Sequence, residues 1–151
     1  MNSYDADQMV FGVVNASAFR KQLIGRALAE HFGYTPGPAG KDGSVDGAIV
    51  DANHVLVAHF QSKLSSSSLI VDEGKILHSD LLRLKPAVCV YVAGVGFDNS
   101  FRRLIAASAI TTSVHLLVLK DVVMRTPLFQ LAMQSLPINN KAAIDWRRFH
   151  I

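Results

Sequence analysis

Asp42 and Asp46 bracket a Gly-Ser-Val step, and Gln61 and Lys63 close an apolar run fifteen residues further on. Side chains alternate along a strand, so His59, Gln61 and Lys63 share one face of that run while Ala58, Phe60 and Ser62 share the other. Three polar groups thus converge where a half-buried strand ordinarily shows apolar ones. Pairing with a strand that begins near Asp46 brings its carboxylate beside Gln61, with the Lys63 ammonium close by. This set suits Mg²⁺, a hard ion that keeps several waters and is held by one or two carboxylates plus substrate phosphate. Asp46 and the Gln61 carbonyl supply oxygen ligands. Lys63 can orient and acidify the attacking water or stabilise charge on a phosphorane-like transition state. The implied reaction is phosphodiester hydrolysis. His59 reads first as a packed, hydrogen-bonded side chain, and second as a supporting group or a DNA contact.

The elements that must position these residues follow from periodicity. Apolar residues at helical spacing predict a helix over Ala16–Phe32, with Ser17 as N-cap and Gly33 ending it. Thr35–Ser44 holds too much Pro and Gly for a regular element and reads as a loop. Gly47–Val50 and Val55–Lys63 read as strands of a hairpin joined by Asp51-Ala-Asn-His54. Ser65–Ser68 reads as a loop or helix start rather than a linker. A helix over Asp72–Leu84, a doubly covered strand over Ala87–Ala93, a helix over Asn99–Ala109, a strand over His115–Leu119 and a helix over Thr126–Gln134 complete the order. An α/β layer fold is expected, a small mixed sheet with helices on both faces.

With these elements in place, a family resemblance emerges. Gly40-Lys-Asp-Gly-Ser-Val-Asp-Gly47, followed by an apolar strand ending Gln61-Ser-Lys63, resembles the Mrr-type restriction endonucleases of the PD-(D/E)xK nuclease superfamily. That group has a Gly-rich turn, D-G-G-x-D, and then Q-x-K in place of the commoner E-x-K. The resemblance implies a restriction-endonuclease-like core, with Asp46 as the metal-binding aspartate, Gln61 also facing the metal and Lys63 as the catalytic lysine. Asp42 matches the first Asp of the turn, in a structural or a catalytic role. The helix ending in Gly33-Tyr34 and the later helix-strand-helix-strand order extend the similarity over roughly residues 17–130. The chain departs from the pattern at Gln22, where the family often has Glu in the first helix, leaving one clear carboxylate for the metal.

The composition agrees with a globular chain: 151 residues, 50% hydrophobic and 18% charged. One domain of this length buries about 70% of its unfolded surface. Charge interrupts every apolar stretch before a membrane span is reached, and the single Cys89 excludes an intrachain disulfide framework and an all-Cys zinc site. Met1–Gln8 lacks the features of a secretory signal, so a reducing cytoplasm is expected and no membrane. Basic residues are outnumbered five to six in residues 1–63 and lead ten to six in 64–151, densest at Arg102-Arg103 and Arg147-Arg148. These arginines are candidate nucleic-acid contacts, although the tail Asp145–His150 is equally apt for covering a core edge or a partner subunit. Gly94-Val-Gly96 lacks the third glycine of a dinucleotide loop and reads as a turn, and Ser65–Ser68 lacks the elbow of a serine nucleophile. The expected function is a Mg²⁺-dependent endodeoxyribonuclease acting on double-stranded DNA, with Mn²⁺ as a substitute. The chain is expected to work as a homodimer or with a recognition subunit. The alternatives are a catalytically silent nuclease-fold subunit that binds DNA or protein, and a structure-specific, resolvase-like nuclease.

Overall fold

The computed structural model describes residues 1–39, 43–107, 109–137 and 144–149. Asp42 lies outside the described residues. Five strands form one mixed sheet in the order β1-β2-β3-β4-β5. These are β1 (Thr35–Ala39), β2 (Val45–Val50), β3 (Leu56–Lys63), β4 (Val88–Ala93) and β5 (Ser113–Val118). The first three form an antiparallel meander, and β3, β4 and β5 run parallel. The helices are α1 (Ser3–Val14), α2 (Ala18–His31), α3 (Val71–Leu84), α4 (Asn99–Ala107), α5 (Leu119–Met124) and α6 (Pro127–Gln134), followed by a short 3₁₀ turn at Trp146–Phe149.

Each face of the sheet has its own core. Phe60, Val90, Val92 and Leu117 meet Ile24 and Leu28 of α2 and Phe129 and Ala132 of α6 on one side. Cys89, Tyr91 and Ala93 meet Leu77 and Leu81 of α3 and Phe101 and Ile105 of α4 on the other. The expected α/β layering is observed. Burial pushes the Cys89 thiol well above its ordinary range, with a smaller push from Asp80, so it stays protonated and inert inside the core. Among the described residues no helix is long and apolar enough to cross a membrane.

Four elements differ from the sequence reading. Residues 35–39, expected as loop, pair with β2 through Thr35↔Ala48 and Pro36↔Gly47. An edge strand needs its ladder on one side only, so prolines are tolerated there. α1 is an additional helix; Asn2 caps it by accepting from the Asp5 N–H at 2.8 Å, and Ala6, Val13 and Val14 are buried. α5 is also additional and continues straight from β5, and Asp121 ties it down by accepting from the Val118 N–H at 3.0 Å and the Thr126 hydroxyl at 2.7 Å. Strand β2 starts two residues earlier than expected, so Asp46 lies within the ladder rather than ahead of it.

Candidate active site

The register places the predicted residues. Asp46 of β2 lies opposite Gln61 of β3, and Ala48 opposite His59. On the parallel side His59, Gln61 and Lys63 pair with Cys89, Tyr91 and Ala93 of β4, so all of them face the α3 and α4 layer. The hairpin holding this register is closed by Asp51, whose Oδ1 accepts from the N–H groups of Asn53 and Val55 at 2.8 and 3.0 Å. On the far side of the sheet, α2 lies close against β2 and β3 at Gly25. A Cβ there would stand 2.6 Å from Ser62 Oγ and 2.7 Å from Val45 Cγ2.

A cavity of about 160 Å³ opens at this point, lined by Ser44, Gln61, Lys63, Glu73, Ile76 and Tyr91. Asp46 is exposed, Gln61 and Lys63 are half-buried, and Tyr91 is buried. The Gln61 Oε1 atom is itself buried and has no hydrogen-bond partner among the described residues. A buried acceptor left unsatisfied costs about 1–3 kcal/mol. A hard cation shared with the Asp46 carboxylate fits that oxygen. No cluster of three or more His, Cys, Asp or Glu occurs among the described residues, so such an ion would be held by few protein groups and by water.

Glu73 lines the cavity without any sign of that role in the sequence. It lies in the first turn of α3, where an acidic residue ordinarily needs no explanation beyond the helix dipole. Its Oε1 is 3.2 Å from Lys63 Nζ. Burial alone would raise its carboxyl, but hydrogen bonds from its own backbone, Lys63 and Ile70, together with the Lys63 charge, bring it below its ordinary range. Tyr91 is equally hidden, because an apolar run conceals which of its members faces a cavity.

The supporting residues separate. His59 is buried, and burial holds it below the ordinary histidine range against the opposing pull of the Asp46 and Asp80 carboxylates. It is a neutral, packed neighbour of the site. Gln22 is half-buried on α2, one residue after Lys21, against which the Gly43 turn packs. The arginines lie elsewhere. Arg102 lines an open groove with Ile105, Val114 and Leu116 beside the β5 edge and stacks over Phe97 at 5.3 Å. Arg103 is exposed on the same helix. Arg147 pairs with Asp145 at 3.1 Å, and Arg148 stacks over Phe149. Trp146 and Phe149 pack against the α2-side core, which is the covering role the tail composition allows.

The chain matches no protein-family model and no curated protein sequence.

Proposed function

We propose that this chain is a divalent-metal-dependent endodeoxyribonuclease of the Mrr-like, restriction-endonuclease-like type, hydrolysing phosphodiester bonds in double-stranded DNA. One observation carries the reading: Asp46 and Gln61 stand opposite each other in register, with Gln61 Oε1 buried and unpartnered among the described residues and Lys63 on the same face at the cavity. An antiparallel meander that leads into a parallel strand, with helices on both faces, gives support at the level of fold. Asp46 and the Gln61 carbonyl would hold Mg²⁺ or Mn²⁺, which when bound polarises the phosphate and lowers the pKa of a water. Lys63, which lines the same cavity, would orient the attacking water and offset charge that develops on the phosphoryl oxygens. The DNA backbone would lie on the side of the sheet that Asp46 and Gln61 share. Cutting both strands takes two hydrolytic events, which a symmetric pair of chains performs most simply.

Plasmid cleavage tests this. Supercoiled DNA is nicked and linearised with Mg²⁺ or Mn²⁺ and spared with chelator. Asp46→Ala and Lys63→Ala each slow cutting by about 10²-fold or more while circular dichroism stays unchanged. Wild-type rates in either folded variant overturn the site. A wild-type chain that binds DNA and never cuts it identifies a silent binding subunit instead.

A further inference from the structure

We propose that Glu73 is a positioning residue for Lys63, an assignment that rests on the nuclease reading of the same cavity. Lys63 ends β3 at the cavity, and its backbone carbonyl accepts from the Gly94 N–H at 3.2 Å. The stem beyond that fixed backbone has four rotatable carbons, and a free lysine would spread its ammonium over many positions. Glu73 narrows them. One of its carboxylate oxygens accepts from the Ile70 backbone N–H at 3.2 Å, which anchors the carboxylate to the start of α3. The other accepts from Lys63 Nζ at 3.2 Å. Both side chains are mostly sheltered, at 28% and 23% exposure, where solvent screens the pair less than at an open surface. The ammonium is therefore ordered before any phosphate arrives, and the entropy of ordering it is spent in folding rather than in the reaction. Glu73 thus adds a carboxylate to the cavity wall beside Gln61 and Lys63.

The competing explanation is helix capping. Ile70 has no side-chain acceptor, so only the Glu73 half of a capping box forms. Glutamine serves that role as well as glutamate. Glu73→Gln therefore keeps the cap and removes the charge. In the full chain labelled with ¹⁵N-lysine, the Lys63 ammonium resonance, assigned by its loss in Lys63→Arg, is expected to be resolved in wild type and broadened away in Glu73→Gln. Single-site cleavage is expected to lose about 10²-fold in kcat with little change in KM and no change in melting temperature. An unchanged ammonium signal in Glu73→Gln overturns the proposal, as does a lost signal with unchanged kcat. A lost signal in a chain whose wild type never cuts DNA supports the positioning of Lys63 and rejects the nuclease reading. Glu73→Asp, which draws the carboxylate back by one methylene, gives the same two readouts if Glu73→Gln folds poorly.

Discussion

In the proposed metal site, Gln61 would stand where a second acid makes the site strongly anionic. Its amide oxygen is neutral, buried and without a hydrogen-bond partner among the described residues, opposite an exposed Asp46 carboxylate. Adding charge to the ligand set is the most direct way to strengthen the grip on a divalent ion. Gln61→Glu should therefore tighten Mg²⁺ and Mn²⁺ by about tenfold, equivalent to about 1.4 kcal/mol, in a calorimetric titration. The extra carboxylate also competes with Glu73 for the Lys63 ammonium, so the variant is expected to bind metal better and cut no faster. Unchanged affinity would show that Gln61 does not face the ion. At this scale much is legible in the amino-acid sequence, because alternation along β3 sorts His59, Gln61 and Lys63 onto one face without reference to the rest of the chain. What alternation cannot reveal is that Lys63 meets Glu73, since that contact depends on how α3 leaves the sheet.

Strand β3 delivers Gln61 and Lys63, β2 delivers Asp46, and α2 presses on the reverse side of both strands. The contact is tight at Gly25, against Val45 and Ser62, the immediate neighbours of Asp46 and of Gln61 and Lys63. A methyl group there gains helix propensity of about 1 kcal/mol but must displace a stiff valine. Overpacking of this kind costs about 1–3 kcal/mol, which leaves Gly25→Ala between neutral and about 2 kcal/mol less stable in urea denaturation. Cleavage should fall with it, because the two strands that move carry the site. A gain in stability would mean that α2 slides without disturbing the sheet. The helix itself is legible from apolar spacing and the Ser17 cap, which accepts from the Arg20 N–H at 3.2 Å. Its contact surface is not, because a glycine within a helical pattern does not announce which strand it touches. β1 is illegible for a related reason: local preference disfavours a strand at Pro36 and Pro38, and pairing with β2 overrides it.

The folded molecule as a whole should be sensitive to mild acid. His31 ends α2 buried against Phe129, their rings stacked at 6.0 Å, and burial followed by the nearby Arg125 charge lowers its pKa to about 4. The unfolded chain takes up that proton near the ordinary value of 6.5. Between these two values the unfolded state binds more protons, so stability is fullest above about pH 6.5 and falls as the pH drops toward 4. The loss approaches about 3 kcal/mol from His31 alone. Burial depresses His59 and His115 in the same direction. His31→Phe should flatten the dependence of the melting temperature on pH across that window, and an unaltered slope would place the acid sensitivity elsewhere. The apolar and polar periods by themselves determined that the chain layers helices on a mixed sheet, and which residues of β3 look the same way, because both properties are set by neighbours a few residues apart. Tertiary structure decided that β2 begins early enough to hold Asp46 inside the ladder, that Glu73 reaches Lys63, that Tyr91 lines the cavity and that β1 joins the sheet. These depend on register and on crossover between segments distant in the chain, where the free energy comes from packing and pairing rather than from local preference.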